Sequence, residues 1–320
     1  MPNSVHQARR SDVLTNVAVR FRPPKRRWDR IFRIMPVDQR NGEYPVFDAT
    51  LYEAPDDFRT DGGEAKTTDI GWKYEPFQCV AHALKTKITA ASRKAARGQV
   101  DLEALKTEAV KEQVDNNIEK AVFGPNGLLR TAANNAYSAN VDWTNPATAS
   151  PRTNINTVRL AVKKACGRAP NTIAATAEVF LAITGTDEYK EFVPFFENLA
   201  TSDGIPDKLF GLDTVVVDSQ VTTSKKGQTK IPTNFLMGDD VWIGYVADGT
   251  EGDEMGDGGP ESNVIGPEVL TYGALLQEGE ETVTWWEQAI KSDWVEYERV
   301  YQLKLIAKEC GGLLQSVLTS

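Results

Sequence analysis

Apolar positions along the chain fall into three successive patterns. In residues 100–123, Leu102, Leu105, Ala109, Val114, Ile118 and Val122 share one face at near-helical spacing. Asp101 is placed to cap this helix and Gly124-Pro125 to stop it. At ~1.5 Å per residue it is about 36 Å long, and its opposite face is charged. In residues 294–308 the period drops to two. Val295, Tyr297, Tyr301, Leu303, Leu305 and Ala307 line one face, broken by Arg299, which predicts one long strand.

The third pattern, in residues 33–83, is extended. The segment 43–49 reads as a strand with Pro45 in it, which confines it to an edge. Residues 53–69 are polar and turn-rich around Gly62-Gly63, and 72–82 return as a second strand. At ~3.3 Å per residue each arm of such a hairpin reaches on the order of 60 Å. A two-stranded ribbon of that kind is marginal alone in water. It carries Tyr44, Phe47, Tyr52, Phe58, Trp72, Tyr74 and Phe77 with too little sequence of its own to cover them. A neighbouring subunit is the simplest cover.

Between the helix and the last strand, 125–290 reads as a mixed body. Helices are expected at 153–166, 177–184 and 186–199, and strands at 171–176, 212–218 and 235–246. Before the ribbon, Pro23-Pro24 forbids helix, and Trp28, Ile31, Phe32, Ile34 and Met35 form a short apolar anchor. No internal repeat or low-complexity tract is found.

Charge changes this picture at the N-terminus. Residues 1–40 hold ten basic side chains against three acids, a net +7, while the whole chain is −9. A basic arm on an acidic body calls for an anionic partner. Phosphate contact without base reading, and an acidic face of a neighbouring subunit, fit Arg9, Arg10, Arg20, Arg22, Lys25, Arg26 and Arg27 about equally well. The loop 248–262 holds six acids and no base. It reads as a solvated loop or a cation site, although its spacing misses the EF-hand pattern.

Candidate chemistry adds little. The chain has two histidines, His6 and His82, and neither stands in a nucleophile or zinc-ligand motif. No phosphate-binding glycine loop occurs. The three cysteines, Cys79, Cys166 and Cys310, are sparse and read as buried thiols rather than a disulfide framework. No stretch approaches the ~20 apolar residues of a membrane-spanning helix, and the N-terminus has no apolar run of a secretory signal. No catalytic residue, cofactor site or metal site is expected. An α/β enzyme acting on a small molecule is the reading from a different class, and the missing histidines and phosphate loops weigh against it.

The order of these elements resembles the major capsid protein of tailed bacteriophages, the Hong Kong 97-type fold. Stretches that carry the resemblance include WDRIFRIMPVDQRNGEYPVFD at 28–48, APNTIAATAEVFLAI at 169–183 and SDWVEYERVYQLKLIAKECGGLL at 292–314. The resemblance implies an α+β fold with an N-terminal arm (1–32), an extended E-loop (33–83), a peripheral domain (84–124 and 286–320) with its spine helix, and an axial domain (125–285). It implies a structural subunit that self-assembles through pentamers and hexamers into the icosahedral head of the virion, built in the host cytoplasm and enclosing double-stranded DNA. Tyr44, Phe47, Tyr52, Phe58, Trp72 and Tyr74 would then make E-loop contacts between subunits. No charge-rich helical segment precedes the arm, so a separate scaffolding protein is expected, or a cleaved one, with a portal and a decoration protein as further partners. An encapsulin-like compartment is the alternative on the same fold. Lys66 and Lys73 lie on the E-loop, but nothing marks a partner for a covalent crosslink.

Overall fold

The computed structural model describes residues 26–47, 54, 56–59, 64–67, 72–96, 101–192, 205–219, 235–247 and 270–318; the side chains of Pro45, Phe47, Trp72, Ala95, Ala96 and Phe192 lie outside it. The description below concerns these residues.

The expected long helix is α2 (Leu102–Phe123), preceded by the short α1 (Ala90–Ala96). The Asp101 carboxylate accepts from the backbone N–H groups of Glu103 at 3.0 Å and Ala104 at 3.1 Å, so the cap read from sequence is made. Its buried face differs from the expected one. Leu105 is 48% exposed, whereas Val110, Val114, Asp115, Ile118, Glu119, Val122 and Phe123 are buried. Only the C-terminal two-thirds of the helix packs, and two carboxylates lie on the packed face.

That face rests on a four-stranded sheet. Its order is β1 (Phe32–Pro36), β10 (Gly273–Glu287), β11 (Ser292–Leu305) and β4 (Val80–Thr89). β1 runs parallel to β10, and the other neighbours are antiparallel. Val110 and Val114 of α2 meet Tyr297 of β11 in a small apolar cluster. β10 is fifteen residues long and was not foreseen, because both of its faces carry polar and apolar residues mixed. On the open face Trp285 pairs with Trp294 across the strands, their rings stacked 6.3 Å apart, with the Lys85 ammonium 5.1 Å from the Trp294 ring.

The second sheet has six strands. Its order is β5 (Tyr137–Asn140), β12 (Gly311–Gln315), β9 (Val241–Gly244), β6 (Thr172–Ala175), β8 (Leu212–Val216) and β7 (Lys208–Leu209). The β6 and β9 strands are buried at every position, as central strands covered on both faces must be. Helix α3 (Pro151–Cys166) seals one face with Ile155, Val158 and Val162. The helices α4 (Ala177–Gly185) and α5 (Asp187–Phe192) follow β6. The expected strand 235–246 is shortened to β9, and the expected helix 186–199 is described only as far as Phe192. β5 and β12 were missed; both are too short to show a period.

One apolar core joins the two sheets. Tyr272 sits at the junction, with its ring edge-on to Trp242 at 4.9 Å and to Phe32 at 6.0 Å. Trp242 Nε1 donates to Asn135 Oδ1 at 3.1 Å. A Cβ on Gly311 would lie 2.3 Å from the Tyr272 ring and 2.7 Å from Asn135 Oδ1, so the last strand enters this junction only as glycine. The expected anchor is in place: Trp28, Ile31, Phe32 and Met35 are buried.

The third sheet is the hairpin of β2 (Asn41–Phe47) and β3 (Trp72–Gln78). The strands are antiparallel and pair from Asn41↔Gln78 to Phe47↔Trp72. Residues 33–36 and 80–83, expected to extend this ribbon, belong instead to β1 and β4 of the four-stranded sheet.

Candidate assembly interface

The β2–β3 ribbon leaves the body between β1 and β4, and its base is pinned there. Cys79 N–H donates to the Arg40 carbonyl at 2.7 Å, and Gln78 N–H donates to Gln302 Oε1 at 3.0 Å. The Arg40 guanidinium lies 2.8 Å from Glu278, and Lys304 donates to the Pro76 carbonyl at 3.3 Å. Gly42 stands opposite Phe77, whose ring would lie 2.7 Å from any Cβ there. The strand root therefore closes over an aromatic that a larger residue would displace.

Beyond the root, two of the described aromatics are open to solvent. Tyr74 is 60% exposed and Phe58 is 70% exposed. Tyr44 is half-buried: its hydroxyl donates to Glu75 at 3.2 Å and its ring lies under Lys304. Burial, with the Glu75 charge beside it, pushes the Tyr44 phenol well above its ordinary range. Phe47 and Trp72 are paired in register at the far end, and Tyr52 lies outside the described residues. Lys66 is ion-paired with Asp56, and Lys73 lies 2.9 Å from Glu75. These surface pairs are worth little.

The basic arm is described from Arg26 onward, so Arg9, Arg10, Arg20, Arg22 and Lys25 lie outside the described residues. Arg26 is committed within its own subunit. Its guanidinium lies 2.6 Å from Asp115 Oδ2 and donates to the Glu112 carbonyl at 2.9 Å. Asp115 Oδ1 accepts from Arg299 at 3.0 Å, and Arg299 also donates to Gln277 Oε1. One turn on, Glu119 accepts from Arg27 N–H at 2.6 Å, Trp28 N–H at 3.3 Å and Ser219 Oγ at 3.0 Å. Burial raises both carboxyls above their ordinary values, despite the cations beside Asp115 and the donors around Glu119. The basic segment thus joins the body through a buried polar clasp on α2. The sequence offered one signal for it, Arg299 interrupting the alternation of the last strand. Asp115 and Glu119 looked like part of a solvated helix face.

Arg27, Arg30 and Arg33 line a cleft of about 600 Å³, together with Asp207, Asp213 and Asp218. Its mixed charge marks no single ligand. Among the described residues, no group of three or more His, Cys, Asp or Glu comes together as a metal site, and no helix is long and apolar enough to cross a membrane. The acidic loop 248–262 lies outside the described residues. His82 stacks on Tyr301 with ring centroids 4.3 Å apart.

No family model and no curated protein matches the sequence. Solved structures do match the fold. A phage-related protein of Bordetella bronchiseptica is 20% identical with a TM-score of 0.61, over 97% of both chains. The capsid of cyanophage P-SCSP1u is 7% identical with a TM-score of 0.57, over 92% of this chain and 89% of that one. The encapsulin SrpI of Synechococcus elongatus is 10% identical with a TM-score of 0.52, over 97% of this chain and 96% of that one. The architecture is therefore one that a phage capsid and an encapsulin shell also have. Within that class it is the fold of the tailed-phage major capsid proteins, the Hong Kong 97 type, and the α+β reading holds.

Proposed function

We propose that the protein is the major capsid subunit of a tailed bacteriophage, assembling through pentamers and hexamers into an icosahedral head around double-stranded DNA. The observation that carries this reading is the β2–β3 ribbon. A hairpin anchored at its root, with Phe58 and Tyr74 left bare, is stabilised when a second subunit covers it. Contacts of this kind join unlike surfaces and close into rings and shells. The fold shared with a phage capsid over nearly the whole chain supports the same reading. The ribbon would lie on the next subunit, and the arm beyond Arg26 would run under a neighbour or meet the packaged DNA. A scaffolding protein, a portal and a decoration protein are the expected partners, and the virion is the expected location. No catalytic role is part of this reading.

Electron microscopy of the purified protein, with scaffold supplied, tests it: closed particles are expected. A stable monomer under all assembly conditions would overturn it.

A second reading has its own support. The likeness to an encapsulin covers 97% of the chain, and the same shell could hold protein cargo. The contents decide: co-purifying nucleic acid supports the head, and a co-purifying enzyme supports the compartment.

A further inference from the structure

The first third of α2 has nothing packed on it among the described residues that covers Leu105, which stays 48% exposed. Glu108 beyond it is exposed and Glu112 is half-buried. Leu105, Glu108, Glu112, Asp115 and Glu119 follow one another at steps of three and four residues, so they form one stripe along the helix. Like charges at this spacing repel one another. At the C-terminal end of the stripe the charge is answered by the chain that precedes β1. Trp28 and Arg27 donate backbone N–H groups to Glu119, and the Arg26 guanidinium lies on Asp115 and on the Glu112 carbonyl. Read backwards from Trp28 to Arg26, the chain therefore follows the stripe toward the N-terminus of α2. Among the described residues, neither the Glu108 nor the Glu112 carboxylate has an ion-pair partner.

We propose that this open stretch of α2 is the docking site of residues 21–25 of the same chain, with Lys25 beside Glu112, Arg22 beside Glu108 and the Phe21 ring on Leu105. The segment is Phe-Arg-Pro-Pro-Lys, which lies outside the described residues and ends where Arg26 is already seated. Its dimensions match the stripe. Glu108 lies seven residues before Asp115 and Leu105 ten, which is about 10 and 15 Å along the helix. An extended chain covers ~3.3 Å per residue, so Arg22 reaches about 13 Å from Arg26 and Phe21 about 16 Å. Pro23-Pro24 favours an extended course and presents no N–H that would need a partner. The occupant is the subunit's own segment because Arg26 tethers it there. Its next residues meet the stripe at high effective concentration, whereas a neighbour's arm would first have to associate.

The docking divides the work of the basic arm. Lys25 and Arg22 join Arg26 in neutralising α2, and Arg9, Arg10 and Arg20 are left for a neighbour or for phosphate. It requires only the fold of one subunit and stands whatever a shell encloses.

Disulfide trapping in the full-length, unassembled protein tests it. The native cysteines are buried, so a pair introduced by Phe21→Cys and Leu105→Cys is the reactive one. Leu105 is exposed, and its replacement leaves the core intact. Mild oxidation of the dilute protein should link the two positions within one chain, as mapped on non-reduced peptides. The control pair Phe21→Cys and Leu160→Cys, which uses an exposed residue of α3, should link at least tenfold more slowly. Adding Arg22→Glu to the first pair should slow its linkage several-fold, and adding Glu108→Arg as well should restore it. No linkage to Leu105→Cys, equal rates for the two pairs, or a rate indifferent to the charge reversals would each overturn the proposal. A linkage found only between chains would also overturn it and would place the segment on a neighbour's α2.

Discussion

The Arg26 guanidinium lies 2.6 Å from the Asp115 carboxylate, joining the start of the described chain to the middle of α2. Asp115 also holds Arg299 of the last long strand at 3.0 Å. One buried carboxylate therefore ties together the arm, α2 and β11. Removing one member of a buried ion pair leaves an uncompensated charge. Asp115→Ala should lower subunit stability by about 3 kcal/mol. Asp115→Asn, which keeps an acceptor oxygen, should cost less. Chemical unfolding of the unassembled subunit measures both, and equal effects would mean that the hydrogen-bond geometry contributes nothing.

Glu119 gives a pH signature. Its carboxyl is raised in the folded state, chiefly by burial, so the folded chain holds that proton more tightly than the unfolded chain. The stability linked to it is fully present below the ordinary glutamate range and is lost as pH rises through the raised value. Glu119→Gln keeps the oxygen that receives Arg27 and Trp28 and removes the titration. The difference in Tm between the wild type and this variant, followed from about pH 4 to pH 8, should shift in favour of the variant as pH rises. A difference that stays flat across the range would contradict the assignment.

Phe58 and Tyr74 separate assembly from folding. Both are exposed in the single subunit, so Phe58→Ala and Tyr74→Ala should each change monomer stability by no more than about 0.5 kcal/mol. Covered by a neighbour, each aromatic would contribute far more. Particle yield by sedimentation should therefore fall while the monomer Tm holds. Unchanged yield in the double variant would remove the ribbon from the interface.

The arm can be tested without disturbing its clasp. Neutralising Arg9, Arg10, Arg20, Arg22, Lys25 and Arg27, while leaving Arg26 on Asp115, should impair assembly or genome retention. The ratio of nucleic acid to protein absorbance in purified particles reads the second. If phosphate is the partner, retention in the unaltered arm should also weaken steeply with salt. Full particles from the neutralised arm would deny the charge any role.

Much of the frame was legible in local pattern. The Asp101 cap, the end of α2 near Gly124, the hairpin about Tyr44 and Tyr74, and the last long strand each follow from neighbours in sequence. The strand β10 was not legible, since Thr282, Val283, Thr284, Trp285 and Trp286 show no consistent period. What makes it a strand is its place between β1 and β11.

The sequence by itself determined where the long helix, the hairpin and the last long strand lie, the split between a basic arm and an acidic body, and a ribbon rich in aromatics. These depend on residue type and on spacing over a few residues. Only the tertiary structure decided what the charges on the helix do. Asp115 and Glu119 lie at positions that an isolated helix would leave in water. They are buried because groups distant in sequence arrive with the donors that compensate the loss of solvent, Arg26 and Arg299 at Asp115, and the Arg27 and Trp28 N–H groups with the Ser219 hydroxyl at Glu119. The end of α3 and the turn before β12 come together only when the six-stranded sheet is assembled in its non-sequential order.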